Sequence, residues 1–142
     1  MPDKFVVDAN VVISSLINKG ISFSVFVLNS ISNKFGLFAP EFLLEEVKKH
    51  KAKILRLTKL SEQEFEEAYQ FLIDELTFIP AEEFLQFLPR AKKLAPHFKD
   101  SPYLALALKL GCPILSGDKG LKKQTGVKVL SPSEALSLIK LK

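Results

Sequence analysis

Four acidic residues, Asp8, Glu46, Asp100 and Asp118, stand at points in the chain where a fold can gather them. Asp8 ends the apolar run Phe5-Val6-Val7, and Glu46 lies on a helix that follows the apolar run Leu37 to Ala39. Asp100 and Asp118 lie within FKDSPYLALALKLGCPILSGDKGL, Phe98 to Leu121. In open α/β sheets the functional crevice lies at the carboxyl ends of the strands, and these positions converge there. Carboxylates gathered without partners repel one another and their pKa values rise. A divalent cation removes that conflict. Hard oxygen ligands suit Mg²⁺ or Mn²⁺, and Mg²⁺ keeps several waters beside only one or two direct carboxylates.

The elements that must position these acids can be read from turn and cap signals. Asp100, Ser101 and Pro102 open a helix, with the Asp side chain as N-cap and Pro in the first turn. Gly111 suits a left-handed C-cap, Pro113 stops continuation, and Cys112 to Ser116 read as a buried strand. A ten-residue helix advances about 15 Å and five strand residues running back cover roughly 16 Å, so Asp100 and Asp118 return to one end. Gly117 and Gly120 flank Asp118 and keep its backbone open to close approach.

Elsewhere, Phe5 to Val7 form a strand, and Asn10 is expected to cap a helix over Val11 to Ile17 that places Ser14 one turn beyond it. Phe23 to Ile31 form a second helix. Leu37 to Ala39 form a strand after which Pro40 opens the next helix. On that helix Glu45 shares a polar stripe with Glu41, Lys48 and Lys49, whereas Glu46 shares a face with Phe42 and Leu43 and points to the sheet. Ser61 to Glu64 and Ser131 to Glu134 are capping boxes. Thr77 to Ile79 and Val127 to Leu130 supply further strands, and Pro89 should break or kink a helix begun at Ala81. Phe84, Leu85, Phe87 and Leu88 serve either the core or a partner surface. About five short strands alternating with helices specify an α/β fold: three layers, doubly wound, a mainly parallel sheet with helices on both faces.

Composition bounds the remaining possibilities. A hydrophobic fraction of 47% and a charged fraction of 25% over 142 residues fit one domain, 1–142, with a sizeable core. No run approaches the roughly 20 apolar residues of a membrane span, and Met1 to Lys4 does not begin a signal peptide, so no membrane partner and a cytoplasmic location are expected. Cys112 reads as a buried thiol, and His50 and His97 as surface residues near helix ends. The net charge of +4 is uneven: Lys48, Lys49, Lys51, Lys53, Arg56 and Lys59 form one basic run and Lys119, Lys122, Lys123 and Lys128 another. Solvated helix faces explain such runs; a polyanion such as nucleic acid explains them equally.

VVDANVVIS (Val6 to Ser14), APEFLLEEV (Ala39 to Val47) and DSPYLALALKLGCPILSGDKGL (Asp100 to Leu121) together resemble the PIN-domain nucleases, of the toxin-type or archaeal-like stand-alone kind. The third segment is the most specific: an acid, an Ala/Leu-rich helix, a Gly turn, a short strand and a Ser/Thr-Gly-Asp in order. The resemblance implies that Asp8, Glu46, Asp100 and Asp118 are metal-binding, catalytic acids, with Asn10, Ser14 and Ser116 as supporting polar groups; Ser116 stands where many relatives have Thr. It implies hydrolysis of single-stranded or structured RNA with Mg²⁺ or Mn²⁺, a homodimer, and an antitoxin protein as partner if the chain is a toxin. Lys119, Lys122, Lys123, Lys48 and Lys49 are the candidates for holding RNA phosphates, Lys119 foremost.

Other folds with acids at strand ends fit less well. A phosphotransfer receiver needs paired acids after the first strand and an aspartate after the third, and Thr77 to Pro80 contain no acid. Asn10 breaks the Asp-x-Asp of a dehalogenase-like phosphatase, and Asp8 to Ser14 lack the Gly-rich turn of a dinucleotide site. The alternative that keeps the fold is a catalytically silent RNA-binding or assembly module. Singly, Asp8 and Asp100 could each be ordinary turn or cap residues; jointly, four acids at one edge require four separate structural reasons.

Overall fold

Phe5, Val6 and Val7 alternate sides along strand β1 (Lys4–Val7), yet all three are buried, so both faces of this strand are covered. Ile114 and Leu115, the whole of β4 (Ile114–Leu115), behave in the same way. The computed structural model describes residues 2–140; Met1, which begins the opening segment, and residues 141–142 at the end of the 1–142 span lie outside the described residues. β2 (Gly36–Pro40), β3 (Thr77–Ile79) and β5 (Val129–Leu130) complete a parallel five-stranded sheet in the order β3-β2-β1-β4-β5. Val6 lies opposite Phe38 on one side and Ile114 on the other. The chain therefore builds outward from β1 in one direction through β2 and β3, then restarts on its other side with β4. That reversal is the topological switch point, where open α/β sheets form their crevice.

Helices cover both faces. α1 (Ala9–Ile17) packs with α2 (Ile21–Ser32), α3 (Phe42–Lys49), α4 (Lys51–Leu57) and α5 (Glu62–Asp74), and α9 (Pro132–Lys140) packs on α2. α6 (Leu88–Leu94) packs on α7 (Ser101–Leu110), which lies against β1, β2 and β4. α7 buries Tyr103 through Ala107 without a break, as a helix enclosed by sheet and neighbouring helix must. The short α8 (Lys119–Lys123) follows β4 and packs on β5.

Local chemistry sets the element ends. Both capping boxes form: Glu64 N–H donates to Ser61 Oγ at 3.1 Å and Glu134 N–H to Ser131 Oγ at 3.2 Å, with each Glu side chain accepting the Ser N–H in return. Each such cap contributes about 1 kcal/mol. Between α2 and β2 the buried Asn29 side chain donates to Phe35 C=O and accepts Phe35 N–H, both at 2.9 Å, closing a turn whose Asn33 has φ 51°. Gly111 ends α7 with φ 63°.

Several expectations are corrected. Pro40 is the last residue of β2, opposite Ile79, and the helix starts two residues later. Ala81–Glu83 and Leu85–Phe87 are separate 3₁₀ turns, and Pro89 lies in the opening turn of α6, where its missing N–H costs nothing. Asn10 lies inside α1, whose N-cap is Asp8, and Asp100 stands at the N-cap of α7 without a side-chain cap bond. The last two strands are shorter than expected, and α4 and α8 were not anticipated. Of the aromatic cluster, Phe84 is core and Leu85 is exposed.

The turn at Gly111 yields a test. A Cβ there meets nothing within 4 Å, so substitution cost comes from backbone conformation alone. Gly111→Ala should cost about 1 kcal/mol, or roughly 3 °C in thermal unfolding followed by circular dichroism. Gly117 is equally open but lacks positive φ, so Gly117→Ala should leave the transition unmoved.

Candidate functional site

β1 delivers Asp8 and β4 delivers Ser116 to the same side of the switch point, where Asp8 N–H donates to Leu115 C=O at 3.0 Å. Ser116 Oγ donates to Asp8 Oδ2 at 2.8 Å. The same oxygen accepts from Asn10 Nδ2 at 3.2 Å and from the Asp118 N–H at 3.0 Å. A hydroxyl has one hydrogen and two lone pairs, so Ser116 is fully used. Asn10 Oδ1 accepts the Gly117 N–H at 3.3 Å, which ties the first turn of α1 to the loop after β4. Asn10 thus bridges two segments instead of capping one.

The other acids surround this frame. Glu46, half-buried on α3, accepts a hydrogen bond at Oε1 from the Tyr103 hydroxyl of α7, while Glu45 is exposed. Asp118 Oδ1 accepts from Gly120 N at 2.8 Å and Leu121 N at 3.3 Å, capping α8, and Oδ2 has no hydrogen-bond partner among the described residues. The Asp100 carboxyl is raised above its usual range, by partial burial first and then by the Asp118 charge, with His97 opposing. Asp8 is 7% exposed. Its carboxyl is pushed up to about 6, chiefly by burial; the Ser116 bond works against this, and Asp100 and Glu46 add to it. The four acids therefore lie within electrostatic reach of one another in a chain Asp118–Asp100–Asp8–Glu46.

The donor set suits a hard cation. The ion pairs Lys51–Glu66 and Lys122–Glu134 among the described residues include none of these acids. No three acidic, histidine or cysteine side chains among the described residues close into a metal cage. Mg²⁺ takes only one or two carboxylates directly and keeps its waters, so an open cluster of carboxylate oxygens fits it. Asp8, Glu46, Asp100 and Asp118 are the residues that would hold it.

Two hollows lie at residues of the site, the larger of them lined by one of the acids. One of about 490 Å³ is lined by Glu46, Lys48, Lys49, His50 and Lys99, among others. Another of about 260 Å³ is bordered by Asn10, the exposed Ser14, Ser22 and Gly117. Of the expected phosphate-binding lysines, Lys48 and Lys49 line the larger hollow, Lys119 and Lys123 are exposed on α8, and Lys122 is turned to Glu134. Sequence reasoning missed Tyr103, Lys99 and His50 as neighbours of the acids. Tyr103 carried a signal: a buried tyrosine in an Ala/Leu-rich helix needs a partner for its hydroxyl. Ser101 Oγ, next to Asp100, is buried without a hydrogen-bond partner among the described residues.

The raised Asp8 carboxyl makes a stability prediction. Folding must bury this carboxylate, so its penalty is absent below the ordinary value of 3.8 and is complete once pH has risen through about 6. In EDTA at pH 7.5, Asp8→Asn should therefore be more stable than the wild type, by up to ~3 kcal/mol, seen as a melting temperature several degrees higher. The advantage should vanish near pH 4, where protonated Asp8 resembles Asn.

Comparison with known proteins bears on this arrangement. The chain matches the PIN domain family over residues 6–138. Among solved structures it is similar to the crystal structure of PAE2754 from Pyrobaculum aerophilum, with a TM-score of 0.70 at 13% identity, covering 98% of this chain and 90% of that one. At that identity the likeness concerns the fold. No curated protein matches the sequence. With nearly its whole described length matched, the chain belongs to the PIN-domain family, whose members are generally nucleases that use divalent metal ions.

Proposed function

We propose that this chain is a metal-dependent endoribonuclease that hydrolyses phosphodiester bonds of single-stranded RNA at the crevice around Asp8, Glu46, Asp100 and Asp118. The observation that carries the reading is the buried Asp8 carboxylate, held by Ser116 and within electrostatic reach of Asp100 and Glu46. A cluster so costly to fold is the pattern of a site that gains its counter-charge from a ligand.

The chemistry supplied by Mg²⁺ or Mn²⁺ bound there is activation of a water and neutralisation of phosphate charge. The chain's part is positioning. Ser116 fixes one oxygen of Asp8, Tyr103 fixes one oxygen of Glu46, and the backbone of α8 fixes one oxygen of Asp118. Lys48, Lys49 and Lys99 beside Glu46 offer counter-charge to the phosphates on either side of the one being cut. The family resemblance extends the proposal to a homodimeric assembly, a cytoplasmic setting, and either a toxin role with an antitoxin partner or stand-alone processing or decay of RNA; among the described residues no single helix is long and apolar enough to cross a membrane.

The first test is cleavage of a mixed-sequence single-stranded RNA in Mg²⁺, Mn²⁺ or EDTA. Cutting should require metal and fall to background in Asp100→Asn and Asp118→Asn, both still folded by circular dichroism. Metal-independent cutting, or full activity in both variants, would sink the assignment. RNA binding without any cutting would move it to the silent binding module.

A second test concerns phosphate contacts. In EDTA, the Lys48→Ala/Lys49→Ala double variant should bind the RNA more weakly, and its plot of log affinity against log salt should be shallower by about 1.4, at ~0.7 per phosphate contact on a single strand. Lys122→Ala, whose ammonium is already engaged by Glu134, should bind as the wild type does.

A further inference from the structure

Phe98 is 75% exposed, and it is the one aromatic among the most exposed large apolar side chains of the described residues. It belongs to the 3₁₀ turn Phe98–Asp100 that leads into α7, two positions before a candidate catalytic acid. The turn is held by hydrogen bonds. Asp100 N–H donates to His97 C=O at 2.9 Å, and Lys99 N–H donates to His97 Nδ1 at 3.2 Å. With Nδ1 accepting, the ring hydrogen of neutral His97 lies on Nε2. The imidazole stacks on the phenyl ring, centroids 4.6 Å apart and planes 29° from parallel. One face of Phe98 is thus backed by a second ring and the other is open to solvent.

The surroundings distinguish this ring from an ordinary surface phenylalanine. Lys99, next in the chain, lines the hollow shared by Glu46, Lys48, Lys49 and His50. A flat aromatic face beside a groove of cations is how single-stranded nucleic acid is held, with bases on rings and phosphates on the cations. A protein partner would call for a contiguous apolar patch, and the chain neighbours of Phe98 are His97 and Lys99.

Building on the ribonuclease reading, we propose that Phe98, backed by His97, is a stacking platform for a nucleobase of single-stranded RNA, adjacent to the phosphate presented to Asp100 and Asp8. Lys99 reaches the phosphate next to that base. The platform selects unpaired RNA, because a base within a duplex has both faces occupied. It discriminates among bases only through stacking strength, favouring purines, and contributes affinity that salt does not remove.

The chain contains no tryptophan, so Phe98→Trp introduces a sole indole at the proposed platform. In EDTA, single-stranded oligoadenylate of ten nucleotides should quench that fluorescence while binding at least as tightly as to the wild type. Phe98→Ala should weaken binding about 5- to 150-fold with an unchanged salt slope and an unchanged melting temperature, since the side chain is exposed. If Phe98→Ala binds like the wild type and the indole is unquenched, while Lys48→Ala/Lys49→Ala loses affinity, the platform falls and the RNA reading stands. If the wild type binds no RNA, both fall. If Phe98→Ala splits a wild-type dimer in sedimentation without changing RNA affinity, the ring is a protein contact and the platform is overturned.

Discussion

The Ser116 hydroxyl gives its single hydrogen to Asp8 and receives Asn10 and the Asp118 N–H on its lone pairs. The junction at the switch point depends on that arrangement. It lies where β1 and β4 run side by side, and strand pairing alone would leave a carboxylate facing a bare loop. With the hydroxyl in place, one buried atom ties together the ends of two strands, the first turn of α1 and the start of α8. A buried polar network of this kind is stabilising only when every member is satisfied. Here the loop after β4 is shaped so that it is.

The same junction explains why the surrounding acids are held so differently. Asp8 is buried and directed by a hydroxyl, Glu46 is directed by a phenol from across the layer, and Asp118 by backbone N–H groups. Each device fixes at least one carboxylate oxygen by a bond to the protein. The repulsion that remains is a strain on the folded chain, which fits the general finding that functional sites are locally less stable than their scaffolds permit. Tyr103 has a double role in this: its ring is core, fully enclosed on α7, and its oxygen reaches Glu46.

Much of this was legible because it is local. The capping boxes at Ser61 and Ser131, the left-handed stop at Gly111 and the alternation of strand and helix depend on residues a few positions apart, and they formed as read. Asp8, Asp100 and Asp118 at strand and helix ends, and Glu46 on the inward face of α3, are legible for the same reason. What escaped depends on distance. Asn10 was read as a cap because cap residues look alike in sequence, but its partner Ser116 lies 106 positions away. Asp100 looked like a cap too, but the preceding 3₁₀ turn brings the backbone in already αR, so the carboxyl is not used there. Proline marks a boundary without saying on which side the helix lies, so Pro40 closes a strand and Pro89 stands in the opening turn of a helix.

Asp8 and Ser116 are 108 residues apart, and β4 is the strand that brings them together. A polypeptide leaves the ribosome from its N-terminus, and elements fold as they emerge. While only β1 to β3 and their helices are out, Asp8 has neither its hydroxyl partner nor Asp100 and Asp118 beside it. The crevice cannot exist on a partial chain. A site assembled this way stays incomplete until β4 and the loop after it have joined the sheet.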